Sequence, residues 1–352
     1  MPAPAPLPAV AEAFARQAEA CAAMGSDFTA RLCAALPEAL PADAAFGARV
    51  LRWPGDPWKD ALALRVCGAL HALARSGAAP ELTEAWPPRL RADPIAAAAR
   101  AIRAHDARLL PWLDSPPQTN ETARASALLG GALHLAAQLR MPLEILELGA
   151  SAGLNMAFDL YRHELGEAGA WGDARAPVRL SCAWRGPPPP LDAPLEIAAR
   201  AGVDLRPADP ARPEDRERLL AYVWPDQAER LARAEAALDF AAAQPWRVEK
   251  GEAAAWLDAR LNAPPAPGRA RVVMHSIVWP YLPPDSRARI RAAMARAGAR
   301  AASDAPLAWL RMEPDDVPGS AALTLRVWPD GRSRVLGRAD FHGRWVAWEG
   351  GA

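Results

Sequence analysis

The stretch Leu143-Glu144-Ile145-Leu146-Glu147-Leu148-Gly149-Ala150-Ser151-Ala152-Gly153-Leu154-Asn155 decides how this chain is read. A short apolar run carrying the acid Glu147 leads into Gly-x-x-x-Gly and then an amphipathic segment. This is the grammar of a strand, a tight turn and a helix start. Glycine tolerates positive φ and lets the backbone approach a ligand closely, while a helix start offers unpaired N–H groups. Such an order suits a nucleotide-type cofactor.

Upstream of this stretch, Val10 to about Leu139 has helical texture. Phe14, Ala18, Cys21 and Ala22 share a face, and Leu62, Val66, Ala69, Leu70 and Leu73 recur at three and four residues. Prolines divide the region into short helices, and no alternating or β-branched run precedes residue 143. Residues 1–140 are therefore expected to form an all-α domain and 141–352 an α/β domain.

Downstream, strands and helices alternate. Helices are expected at Leu154–Leu165, Glu214–Ala243, Ala253–Leu261 and Asp285–Ala297, with a helical stretch from Leu195. Strands are expected at Val178–Trp184, Gly202–Leu205, Trp246–Glu249, Arg271–Val278 and Leu307–Met312. The tail carries Leu323–Trp328, the turn Pro329-Asp330-Gly331 and further strand to Trp348. Alternation ending in a hairpin implies a mostly parallel sheet with an antiparallel edge.

Composition narrows the function. The 352 residues are 51% hydrophobic and 23% charged, which describes a folded globular chain. Basic and acidic residues cancel at 41 each with no basic block, so nucleic acid is not expected as a partner. No apolar run is long enough to span a bilayer, and Met1–Pro8 reads as a frayed leader, not a secretion signal. Cys21, Cys33, Cys67 and Cys182 lack Cys-x-x-Cys spacing and read as reduced buried thiols. A cytoplasmic protein follows. Isolated histidines without ligand spacing argue against a metal site.

The order of the pieces resembles class I S-adenosylmethionine-dependent methyltransferases, which implies a Rossmann-like sheet preceded here by the all-α domain. On that resemblance Gly149, Ser151 and Gly153 match the family's glycine loop, with serine in the middle place. The substitution is tolerable if that backbone position need not adopt positive φ. Glu147 matches the acid at the methionine end of the cofactor, and Asn155 completes the loop. Asp204 matches the acid that pairs with the ribose hydroxyls. It lies well beyond the spacing of roughly 20 residues in related dinucleotide sites, making Trp171–Leu191 an insertion. Glu252 stands where the family places an adenine-contacting acid.

Nearly end to end, the chain also resembles a bacterial family known as domain of unknown function 2332. Gln118–Glu121, Glu147–Asn155, Tyr222–Gln227, His275–Leu282, Trp309–Pro314 and Phe341–Gly343 carry that likeness. It brings no activity with it.

The methyltransferase resemblance implies methyl transfer to a small molecule. Because a sulfonium methyl is already activated, rate comes from in-line positioning, with a base for a protonated nucleophile. His275 and Tyr281 are the catalytic candidates. Trp279, Asn120 and Glu121 are candidates for holding the substrate, the last two from a helical lid. Two other readings stay open. Gly149–Gly153 also fits Gly-x-Ser-x-Gly, the nucleophile elbow of serine hydrolases, with Ser151 followed by Asp304 or Asp340 and then His342. Alternatively, the chain binds a nucleotide-like ligand without turning it over.

Overall fold

A computed structural model describes residues 7–350. Most of the leader stretch, residues 1–6, lies outside the described residues. The chain divides into two compact units, one of residues 1–119 with 213–232, the other of residues 120–212 with 233–352.

The first unit is helical. It holds α1 (Pro8–Ala23), α2 (Asp27–Ala39), α3 (Ala45–Leu51), α4 (Leu62–Arg75), α5 (Pro80–Ala85), α6 (Pro94–Ala104) and α7 (Asp106–Leu109). Phe14, Leu32, Leu36, Val66, Leu70, Leu73 and Ile102 fill its core. Helix α8 (Ala125–Leu139) belongs instead to the second unit, although its texture continues that of the first. Its Gly130 and Gly131 explain why. A Cβ at Gly131 would lie 2.4 Å from Leu310 Cδ1, and one at Gly130 would lie 2.7 Å from Trp184. A side chain at either position would have to displace Leu310 or Trp184, so glycine suits so close an approach of this helix to the sheet.

The second unit contains β1 (Leu143–Leu148), β2 (Arg162–Glu164), β3 (Ala170–Trp171), β4 (Arg179–Ser181), β5 (Ala183–Arg185) and β6 (Ile197–Asp204). The chain then runs through α9 (Pro213–Ala221), in the first unit, and α10 (Ala228–Ala242), whose first residues also belong there, before β7 (Val248–Lys250), α11 (Ala253–Asn262), β8 (Ala270–Ser276) and α12 (Pro284–Gly298). Strands β9 (Leu307–Pro314), β10 (Ala321–Trp328), β11 (Arg332–Ala339) and β12 (Trp345–Trp348) close the chain.

Nine strands form one sheet in the order β5-β12-β11-β10-β9-β8-β1-β6-β7. The run β7-β6-β1-β8-β9 is parallel, and β10, β11 and β12 continue as an antiparallel meander. The chain starts at β1, grows one way to β6 and β7, then returns to β1's other side for β8 and β9. Strand order thus reverses between β1 and β8, where open α/β sheets bind ligands at the strands' carboxyl ends.

Alternation assigns the faces. Leu146, Leu148, Val273, Leu307 and Trp309 pack with α11 and α12. Glu147, one step out of phase, points to the opposite face. So does Leu310, which meets α8.

Four expectations change. The helix expected at Leu154–Leu165 is a 3-10 segment, Asn155–Leu160, kinked at Ala157, and then β2. The backbone leaves helical geometry at Ala157 (φ −95°, ψ 15°), and from Arg162 it is extended to pair with β3 and β4. The strand expected at Val178–Trp184 breaks at Cys182. Cys182 N–H pairs with Glu164 and Ala183 N–H with Arg344, so the halves join different sheets.

The helical stretch from Leu195 is strand β6 from Ile197, because parallel ladders to β1 and β7 demand its backbone. Glu214–Ala243 is two helices parted at Trp224-Pro225. There Asp226 turns back within the first unit, accepting Phe28 N–H at 2.9 Å and the Ser26 hydroxyl at 2.5 Å. It thereby caps α2. No helix among the described residues is long and apolar enough to cross a membrane.

Candidate functional site

The turn after β1 is left-handed at three places: Gly149 (φ +68°), Ser151 (φ +53°) and Gly153 (φ +75°). Serine in the middle place was expected to avoid positive φ; the structure places it there. The strain, of order 1 kcal/mol for a non-glycine residue, is held by a specific bond. Ser151 N–H donates to Asp204 Oδ2 at 3.0 Å, from the end of β6.

With Asn120 on Ala152 and Leu154, the turn's amides are largely met by the chain's own side chains. Close approach at Gly149 also has an occupant. A Cβ there would sit 2.4 Å from Val278 Cγ2, so Val278 fills the space expected for a ligand backbone contact.

Glu147 stands just before this turn and is 2% exposed. Its Oε2 has no hydrogen-bond partner. Burial pushes the carboxyl up to about 8; the Asp204 charge adds to the rise and Arg124 opposes it. At neutral pH it therefore keeps its proton. A carboxyl buried without a donor is costly, and native folds keep few such groups.

Next to it, Arg124 ties the rim together. Its Nε–H donates to Phe341 O at 2.8 Å and its Nη1–H to Ser276 O at 3.4 Å. Asn155 is 2% exposed; its Nδ2–H donates to Glu121 O at 3.3 Å, while its Oδ1 meets no donor.

The remaining acids of the expected cofactor site are more fully engaged. Asp204 accepts Ser151 N–H on one oxygen and Arg206 N–H on the other, which leaves a lone pair on each. Glu252 is the N-cap of α11. Its Oε1 accepts from Ala254 N–H and Ser286, its Oε2 from Ala255 N–H and Arg289. Burial would raise this carboxyl, but the two amides, Ser286 and Arg289 together hold it below its ordinary value. Glu252 has no acceptor capacity left for an adenine ring.

At the end of β8, His275 is fully buried. Trp309 Nε1–H donates to its Nε2 at 3.1 Å, which fixes the hydrogen on Nδ1, and Nδ1–H donates to Glu313 Oε1 at 2.6 Å. Trp279 stacks on the imidazole with centroids 5.4 Å apart. Neither ring nitrogen is left for a substrate.

Glu313 also accepts Val278 N–H at 3.1 Å and Trp279 N–H at 3.2 Å. It thus holds the turn in which Ile277 has φ +51°. A β-branched residue in that region is strained and needs such support. Tyr281, on the same segment, is 79% exposed.

For the rival nucleophile, Ser151 is 3% exposed. Asp304 precedes β9, at the sheet edge opposite the Ser151 turn. Asp340 lies at the same edge as the turn, but it accepts from Arg344 and from the N–H groups of His342 and Arg344. Burial raises this carboxyl, and those donors outweigh it, leaving it below its ordinary value. Among the described residues no cluster of His, Cys, Asp and Glu is suited to a metal.

Asn120 and Glu121, Glu147–Asn155, His275–Trp279, Glu313 and Phe341–Gly343 thus gather at one edge of one sheet, while Tyr222–Gln227 organises the helical unit. Sequence reasoning missed Arg124 and Arg233, whose Nη2–H reaches Glu121 Oε1 at 3.4 Å. An arginine's role depends on its neighbours, and no local pattern marked these two. The chain belongs to the family described as uncharacterised protein conserved in bacteria, domain of unknown function 2332, whose model matches residues 11–348. No curated protein and no solved structure matches it.

Proposed function

We propose that the second unit binds S-adenosylmethionine at the carboxyl edge of β1 and transfers its methyl group to a small molecule. The observation that carries this reading is Glu147: a buried acid with an unpartnered oxygen, placed where the strand order reverses and directly before a glycine turn. The finer Rossmann-like methyltransferase assignment rests on the same placement. The bound cofactor supplies an electrophilic methyl group; the chain's residues bind, orient and exclude water.

Glu147 accepts from the ammonium of the methionine end. Asp204 uses its spare lone pairs for the ribose hydroxyls while holding the turn through Ser151 N–H. Glu252 is left out of the site because its four acceptor positions are filled. His275 and Glu313 act as positioning residues for the Ile277–Tyr281 segment, which offers Trp279 and Tyr281 to the acceptor. Val278 must move aside wherever the ligand backbone approaches Gly149.

Calorimetry with S-adenosylmethionine and S-adenosylhomocysteine tests the reading. Micromolar binding that is lost in Glu147→Ala is expected; no heat at millimolar ligand overturns it.

The left-handed Ser151 favours a second reading, since a nucleophile elbow also strains its serine. A fluorophosphonate probe that labels the wild type and not Ser151→Ala would move the assignment to hydrolysis.

A further inference from the structure

Beside the glycine turn, two side chains share one carboxylate residue and keep unused hydrogen-bonding capacity. Glu121 is buried; its Oε1 accepts Ala123 N–H at 3.1 Å and Arg233 Nη2–H at 3.4 Å. Its backbone carbonyl accepts Asn155 Nδ2–H. The Arg233 side chain is 20% exposed, yet its Nε–H is buried without an acceptor. Asn155 Oδ1 is likewise buried without a donor. A desolvated donor and a desolvated acceptor therefore stand on two residues joined through Glu121.

Each lost partner is costly when the group is shut away from water. Such groups persist where something else supplies the missing bonds. The Glu121–Arg233 contact does not use up the guanidinium, because 3.4 Å is long for a charge-assisted bond, normally about 2.7–2.9 Å. Arginine's planar fork matches a carboxylate with two parallel N–H groups. A phosphate fits less well, since its second charge would lie against Glu121. The Asn155 oxygen asks for a donor next to that carboxylate.

We propose that Arg233 and Asn155 form a subsite for an α-amino or α-hydroxy carboxylate, with Arg233 taking the carboxylate and Asn155 the neighbouring ammonium or hydroxyl. The proposal rests on reading the glycine turn as a ligand site, though not on methyl transfer. The same chemistry has two sources, the amino-acid end of the cofactor and a carboxylate-bearing methyl acceptor.

Calorimetry on the full chain and on Arg233→Met and Arg233→Lys, with S-adenosylhomocysteine and methylthioadenosine, separates them. Circular dichroism first checks that both variants keep the wild-type spectrum. If the cofactor supplies the carboxylate, Arg233→Met weakens S-adenosylhomocysteine roughly tenfold or more. Methylthioadenosine, which lacks the amino-acid end, is unaffected, and Arg233→Lys recovers part of the loss.

If the acceptor supplies it, S-adenosylhomocysteine affinity is unchanged. Free α-amino or α-hydroxy acids then raise the wild-type melting temperature in saturating S-adenosylhomocysteine, while the matching primary amides do not, and Arg233→Met abolishes the shift. If neither readout depends on Arg233, the proposal is overturned. Failure of S-adenosylhomocysteine to bind the wild type would sink the methyltransferase reading alone; the acid and amide panel, run without it, then decides the subsite.

Discussion

Glu147 and Glu313 close the same edge of the same sheet, at the ends of β1 and β9, and the fold treats them in opposite ways. Glu313 has a donor for each oxygen and a second on Oε1, from His275 and the Val278 and Trp279 amides. Glu147 has an oxygen with no donor and a carboxyl raised by burial to about 8. The difference teaches how to sort acids at such an edge. A carboxylate met by donors on both oxygens is building a turn, whereas a buried one with an unpartnered oxygen is the acid on which the proposed ligand site rests.

The largest effect expected from this contrast is on stability. Glu313→Ala strands one buried and two part-buried donors and should cost about 2–3 kcal/mol in urea unfolding, while the isosteric Glu147→Gln should be nearly neutral at pH 7. Equal losses in the two variants would break the comparison.

The pH dependence comes next. Glu147 is raised from 4.5 to about 8 on folding, so the folded state holds a proton that the unfolded chain releases. Its contribution is therefore fully present below 4.5 and lost as pH climbs through 8. Glu147→Gln should flatten that part of the profile and melt higher than wild type at pH 9. A profile unchanged by the substitution would show Glu147 ionised in the fold.

Ligand binding sharpens the same point with a smaller effect. An ammonium favours the ionised carboxyl, so affinity for S-adenosylhomocysteine should rise with pH by at most about tenfold per unit and level off above 8. Near pH 7, about one proton should leave on binding, read from calorimetry in buffers of different ionisation enthalpy.

The smallest effect concerns the turn itself. Ser151→Gly relieves a left-handed serine and should stabilise by about 1 kcal/mol; a loss instead would mean that the side chain of Ser151 holds the turn.

Much of the frame was legible. The apolar run at Leu143–Leu148, the β-branched run at Arg271–Val278, which the structure ends at Ser276, and the Pro329-Asp330-Gly331 turn all stood out, because buried strands and tight turns demand particular residue types locally. The first part of strand β6, 197–201, was not legible, since Ala198, Ala199 and Ala201 suit a helix as well, and only flanking ladders choose strand. The helix expected after Gly153 failed for a similar reason. Arg162–Glu164 pairs with β3 and β4, strands that only the fold brings alongside, so the chain leaves the helix early.

At the site, Glu147, Asp204 and His275 were singled out correctly as residues at strand ends. Their states were not legible: which acid is capped, which is dry, and which imidazole is locked.

By itself the sequence determined the central strands β1, β8 and β9, where glycines permit left-handed turns, and which residue types reach the carboxyl edge. These depend on neighbours a few positions away. The tertiary structure alone decided that Glu252 is a cap, that His275 is spent on Glu313 and Trp309, and that Glu147 is left without a donor. The physical reason is that a polar group's chemistry is set by the donors, charges and water around it, and those come from residues far apart along the chain.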